Sequence, residues 1–155
     1  MSQLPADFIT QITQLLGADE ASALCTALTG SEAPVSIRRN PLKPVETLPE
    51  AEVGAVPWCD AGCYLAARPR FTYDPLLHAG CYYVQEAASM FVEQAYRCIV
   101  ADFQPHRLLD LCAAPGGKST LWRSLLPAEH LLVANEPIRQ RAQILAENLA
   151  KWGHP

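Results

Sequence analysis

No stretch of this 155-residue chain approaches the roughly 18 to 20 consecutive apolar residues of a membrane-spanning helix, and no charged start leads into a long apolar segment of secretory type. A membrane partner is therefore not expected. The expected setting is the cytoplasm, with the six cysteines (Cys25, Cys59, Cys63, Cys81, Cys98, Cys112) as reduced thiols rather than disulfides. Positive charge is scarce too: 12 Lys and Arg stand against 16 Asp and Glu, for a net charge of -4. That excludes a compact nucleic-acid binder relying on overall basicity, because neutralising phosphates takes Lys and Arg in quantity. Any basic surface must be local. Cys59 with Cys63, or His78 with Cys81, lacks a second matching pair, so no zinc site is expected. Internal repeats and low-complexity tracts are missing, and 50% hydrophobic with 18% charged residues is a globular composition.

What is present centres on the stretch from Arg107 to Glu136. An apolar run (Leu108, Leu109, Leu111) leads into a turn with Pro115, Gly116 and Gly117. A helix-compatible segment, a second apolar run from Leu131 to Ala134 and an acid, Glu136, follow. Strand, loop, helix, strand, acid is the order of a nucleotide-binding βαβ unit, in which roughly 20 residues separate the glycine loop from a ribose-binding acid. Glycines let the backbone approach a ligand, a helix start offers unpaired N–H groups, and an acid can accept two hydrogen bonds from a ribose diol. The stretch predicts a site for an adenosine-containing cofactor. Blander readings stand beside it: Gly116 and Gly117 as a tight turn, Glu136 as a helix-start acid, Lys118 as a solvated lysine, Cys112 as a small packed residue. The run Cys112 to Ser119 also nearly matches the phosphate loop of nucleoside triphosphatases, with Cys112 in place of the first glycine. That replacement, and the stiffness of Ala114 with Pro115, argue against a triphosphatase.

From the start of the chain, Phe8, Ile9, Ile12, Leu15 and Leu16 form one helical stripe ending at Gly17, and that helix is expected to dock. A second helix capped by Asp19 and ending at Gly30 completes a hairpin. After Pro34 the period changes to 2, with Val35 and Ile37 alternating with Ser36 and Arg38 in a strand. Prolines from Pro41 to Pro57 make long regular elements unexpected there. Residues 58–80 read as a small irregular β region with strand pieces at Cys63 to Ala66 and Arg70 to Tyr73. Tyr82 to Val84 suits a strand, and Ala87 to Ile99 a helix with Phe91, Val92, Ala95 and Ile99 on one face. After the second apolar run, Pro137 opens a helix whose stripe is Ile138, Ala142, Leu145 and Leu149.

The residues DLCAAPGGKST, then Glu136 and RAQILAENLAKWG, resemble the Sun-type family of RNA cytosine-C5 methyltransferases. YYVQEAASM at Tyr82 to Met90 looks like the family's segment ahead of its catalytic sheet, and IRRNPLK at Ile37 to Lys43 is similar to its strand carrying an Arg and an Asn. The closest resemblance is to the bacterial small-subunit rRNA branch. It implies a Rossmann-like α/β methyltransferase fold of which the first β-α-β-α units are present, preceded by an α+β extension, with the division near residue 100. It implies that Cys112, Ala113, Ala114, Pro115, Gly116, Gly117 and Lys118 line S-adenosylmethionine, that Glu136 holds its ribose, and that RNA is the partner. Family members use one cysteine in a Pro-Cys and one in a Thr-Cys context. Here the residues before the six cysteines are Leu24, Trp58, Gly62, Gly80, Arg97 and Leu111, so none is assigned a catalytic role.

A two-strand parallel sheet would leave apolar faces open, so a fragment that does not methylate RNA by itself is the expectation. Gln85, Glu86 and Ser89 are read either as a bridge between strand and helix or as neighbours of the cofactor. Arg38, Arg39, Lys43, Arg68 and Arg70 are read as RNA-backbone contacts or solvated surface. The competing reading from another class is a non-catalytic RNA-binding or scaffold module.

Overall fold

A computed structural model of the chain describes residues 4–30 and 33–153. They fall into two compact units, Met1–Pro34 and Val35–Pro155. The first unit is the expected helical hairpin of α1 (Ala6–Leu16) and α2 (Ala18–Gly30). Gly17 turns the chain at φ 83°, and its N–H closes on Thr13 O at 3.0 Å. The expected docking of the α1 stripe is only partial. Phe8 and Ile12 are half-buried, whereas Ile9, Leu15 and Leu16 are exposed, Leu15 by 76%. A single partner helix covers one i, i+4 row, not a five-residue stripe.

The second unit opens with an antiparallel sheet in the order β2-β3-β1-β4, made of β1 (Val35–Arg39), β2 (Glu52–Ala55), β3 (Gly62–Leu65) and β4 (Tyr82–Val84). Ile37 lies opposite Cys63 on one side and Val84 on the other. The sequence predicts alternate exposure along β1, yet Ser36, Ile37 and Arg38 are all buried. The strand is interior to its sheet, and the face bearing Ser36 and Arg38 is covered by later elements. Among the prolines, β2 is short enough to fit and pairs with β3 across a bulge between Glu52 and Gly54. Residues expected as strand at Arg70 to Tyr73 instead form a 3-10 turn, Phe71–Tyr73. It leads into α3 (Pro75–His78), whose cap Asp74 accepts from Leu76 N at 2.9 Å. Ile37, Cys63, Leu65 and Tyr82 form the core beneath.

The single helix expected from Ala87 to Ile99 is two: α4 (Ala87–Met90) and α5 (Val92–Asp102), joined at Phe91 through i to i−3 hydrogen bonds. The buried phase is Ala87, Met90, Glu93 and Tyr96, leaving Phe91 and Ile99 exposed. Met90 inserts among Val56, Cys59 and Leu121, and the i, i+3 spacing from that anchor sets the phase. Glu93 is tolerated inside because Arg97 pairs with it at 2.6 Å.

β5 (Arg107–Asp110), α6 (Gly117–Leu125), β6 (Leu131–Ala134) and α7 (Arg139–Trp152) follow in the expected order. β5 and β6 are parallel, with Asp110 opposite Ala134. Leu121, Leu145 and Trp152 are buried, while Leu109, Leu131 and Val133 stand exposed on one face of the pair. This is a partial Rossmann-like α/β arrangement.

Candidate functional site

The loop between β5 and α6 is held from below by an acid the sequence reading did not single out. Asp110, buried at the end of β5, accepts from Cys112 N (3.3 Å) and from Ser119 Oγ (2.7 Å), so one carboxylate ties both ends of the loop together. Its signal in the sequence is an acid closing an apolar strand directly before a glycine turn. Ala113 and Ala114 pack on Leu145, and Ala113 N donates to Asn135 O at 3.0 Å. The Pro115 carbonyl accepts from Asn148 Nδ2 (2.8 Å) and Tyr83 Oη (3.1 Å). Tyr83 and Asn148 were likewise not singled out.

Gly116 stands at φ 117°, a conformation that favours glycine. Its carbonyl accepts from Thr120 N and Thr120 Oγ1, each at 2.8 Å. Gly117 begins α6, and a Cβ there would lie 3.5 Å from the Tyr83 ring. Lys118 and Cys112 are exposed.

Glu136 lies two residues beyond β6, at the same end of the parallel pair as the loop. Its side chain is 3% exposed; Oε1 accepts from Ile138 N at 3.0 Å and Oε2 faces Arg141 Nη1 at 3.4 Å. Glu136 thus stands three residues ahead of α7, bonded to the N–H of Ile138, and the first turn of that helix carries no acid. Arg141 also donates to Ala114 O at 3.1 Å, linking the acid to the loop. The opening N–H groups of α6 and the Glu136 carboxylate thus lie at the same end of the β5–β6 pair.

Arg38 is neither an RNA contact nor solvated. It is 1% exposed, and burial lowers its pKa to about 10, so it remains charged at neutral pH. Nε donates to Gln85 Oε1 (2.9 Å), Nη2 to Gly117 O (3.2 Å) and Thr120 Oγ1 (2.5 Å), and Cζ lies 4.5 Å from the centre of the Trp152 ring. Gln85 is buried and accepts from Ser36 Oγ and Arg38 Nε, both on β1, while Glu86 is exposed. Arg39 pairs with Glu52, and Lys43 donates to Ala79 O (2.9 Å) and Lys151 O (2.6 Å).

The cysteines differ in burial: Cys59 and Cys63 are buried, Cys98 and Cys112 exposed. Burial, reinforced by Glu93, pushes the Cys59 thiol up to about 12, and burial also raises that of Cys63. The thiolate is the reactive form. At pH 8 a thiol-alkylating reagent is expected to label exposed Cys98 and Cys112 and spare Cys59 and Cys63 in the folded chain. Mass spectrometry reads the pattern, and labelling of Cys59 as fast as Cys112 would refute the buried arrangement.

The chain matches the family described as "N-terminal domain of 16S rRNA methyltransferase RsmF" over residues 4–87, and "16S rRNA methyltransferase RsmB/F" over residues 98–155. It is 33% identical to ribosomal RNA small subunit methyltransferase F of Vibrio atlanticus, across 97% of this chain and 33% of the relative. The chain thus spans about a third of that relative's length. A methyltransferase homologue from Pyrococcus horikoshii superposes with a TM-score of 0.77 at 25% identity, covering 98% of this chain and 50% of that one. NSun6 from Pyrococcus horikoshii, solved with SFG, shares the fold at a TM-score of 0.75 and 14% identity, covering 97% of this chain and 63% of that one. The strand, loop, helix, strand and acid described above therefore sit in a chain that belongs to the Sun-type family of 16S rRNA methyltransferases RsmF, corresponding to its N-terminal part.

Proposed function

We propose that the loop Cys112 to Lys118 and Glu136 hold S-adenosylmethionine in an enzyme that forms 5-methylcytosine in ribosomal RNA. One observation carries this reading: the loop and the acid meet at the C-terminal ends of two parallel strands, with Arg141 touching both. Open α/β sheets bind ligands at that end. The residues present fit the cofactor. The φ 117° turn at Gly116 brings the opening N–H groups of α6 to this end of the strands for the methionine end, and the Glu136 carboxylate, 3% exposed, would turn from Ile138 N and Arg141 to accept from the ribose hydroxyls. The bound group would supply a methyl on a positively charged sulfur. This chain's residues bind and orient it, and Ala113, Ala114 and Leu145 keep water from beneath the loop.

In this reading residues 1–100 form an extension that meets RNA and residues 101–155 open the cofactor domain; the two family matches, 4–87 and 98–155, change over near that point, whereas the compact units divide after Pro34. With Arg38 buried, RNA contacts would rest on exposed side chains such as Arg68 and Arg70. The target cytosine must be exposed or flipped, since attack at C6 needs its face. No cysteine stands in a Pro-Cys or Thr-Cys context, so we assign the attacking thiolate to none of the six, and we read this chain as inactive alone. We place the protein in the cytoplasm.

Calorimetry with S-adenosylmethionine tests the site. Glu136→Ala is expected to weaken binding by about 1.5–3 kcal/mol, the range for hydrogen bonds to a charged acceptor. Glu136→Gln, which keeps an acceptor for Ile138 N, controls for the loss of that hydrogen bond. Unchanged affinity in both variants would remove Glu136 from the site, and a magnesium-dependent preference for ATP would favour a triphosphatase.

A further inference from the structure

We propose that Arg38, on the N-terminal sheet, is a positioning residue for the cofactor loop: it sets the orientation of the first turn of α6 and thereby the affinity for S-adenosylmethionine. The inference rests on the cofactor reading above and extends it to a residue some 80 positions upstream in sequence.

A guanidinium buried to this degree needs partners, because an unsolvated charge is costly. Its hydrogen bonds go to neutral groups. Gln85 Oε1 takes Nε, while Gly117 O and Thr120 Oγ1 share Nη2. Its one close carboxylate neighbour in electrostatic terms, Glu93, is already paired with Arg97. The two acceptors on Nη2 belong to the opening turn of α6. Thr120 Oγ1 in turn donates to Gly116 O (2.8 Å) or Gly117 O (3.1 Å). The carbonyls of both loop glycines are thus drawn toward Thr120 and Arg38. In a trans peptide the N–H points opposite to the C=O, so fixing these carbonyls inward aims the N–H groups of Gly117 and Lys118 outward, where an anionic ligand end can meet them. Trp152, at the end of α7, backs the guanidinium, with Cζ 4.5 Å from the ring centre. A lysine there would supply a single ammonium in place of the fork that reaches Gln85, Gly117 and Thr120 together.

The test compares the whole chain with Arg38→Met, Arg38→Lys and Thr120→Val, measuring S-adenosylmethionine affinity by calorimetry, melting temperature, and amide hydrogen exchange. The expected result for Arg38→Met is affinity weaker by about tenfold or more, with faster exchange concentrated at Thr120 and Leu121. Arg38→Lys should recover melting temperature more than affinity, and Thr120→Val should reproduce the affinity loss in a well-folded chain. A merely structural role would lower the melting temperature while leaving affinity within about twofold at temperatures where the variant is folded, and that outcome overturns the proposal. If Arg38→Met fails to fold, Thr120→Val decides by the same criterion. If the unaltered chain binds no S-adenosylmethionine, the cofactor reading falls. The exchange pattern then judges Arg38 separately: acceleration confined to the α6 turn upholds its control of the loop, and uniform acceleration refutes it.

Discussion

Replacing Gly80 with alanine is expected to cost the chain about 2–4 kcal/mol of stability. A Cβ at that position would lie 2.0 Å from Lys151 O, 2.6 Å from Lys151 C and 3.2 Å from Trp152 N. Those atoms are backbone, so no side-chain rotation relieves the clash. Gly80 also stands at φ 71°, which costs an L-residue a further 1–2 kcal/mol by common measure. The close approach is built in: Asn40 Nδ2 donates to both Gly80 O (2.8 Å) and Trp152 O (2.7 Å), clamping the turn after α3 onto the end of α7. Pushing them apart would lift Trp152 from Arg38 and disturb the underside of the loop. Urea unfolding measures the loss. Gly54→Ala, where a Cβ meets nothing within 4 Å and φ is not positive, is the control, expected to raise stability by about 0.5–1 kcal/mol as a strand glycine gains a side chain. A Gly80→Ala midpoint equal to that of Gly54→Ala would mean that the end of α7 does not rest on this turn.

The second large effect is expected at Asp110. Asp110→Ala removes the acceptor of Ser119 Oγ and Cys112 N, and Ser119 is fully buried. An orphaned buried hydroxyl costs about 1–3 kcal/mol, and hydrogen bonds to a charged acceptor contribute about 1.5–3 each. The removed carboxylate was itself desolvated, which offsets part of that sum, so the net expectation is about 2–4 kcal/mol in urea unfolding. Because both lost bonds flank the loop, S-adenosylmethionine affinity should fall together with stability. The double variant Asp110→Ala/Ser119→Ala should recover part of the stability, since no hydroxyl is then stranded. Failure of the second change to recover any would show that the Ser119 contact contributes little.

Much of the second half was legible in the residues. The βαβα order from Arg107 to Trp152 follows from apolar runs, a glycine turn and a stripe that includes Leu145, all local patterns of period or spacing. Glu136 was found the same way, by its distance from Gly117. The bond to Ile138 N and the pairing with Arg141 came only with the structure. The phase of α4 and α5 was not legible. Phe91 and Ile99 lie on the expected apolar face, yet burial went to Met90, which meets Val56, Cys59 and Leu121 from distant segments, and to Tyr96, which packs on Trp122. Arg70 to Tyr73 carries strand-forming residues but lacks a strand partner, and it turned instead.

By itself, the amino-acid sequence determined which elements exist from Arg107 onward, where the glycine turn lies and which acid follows the second strand, since these depend on neighbours a few positions away. Only the tertiary structure decided that Arg38 is buried beneath the loop, that Asp110 ties its two ends, and that Gly80 must be glycine. Each of those facts is a contact across the fold: Arg38 with Thr120, Asp110 with Ser119 across the intervening loop, Gly80 with Lys151. Hydrophobic periodicity carries no information about which buried charge meets which backbone carbonyl, because that depends on the packing of the sheet against α6 and α7 and not on any local repeat.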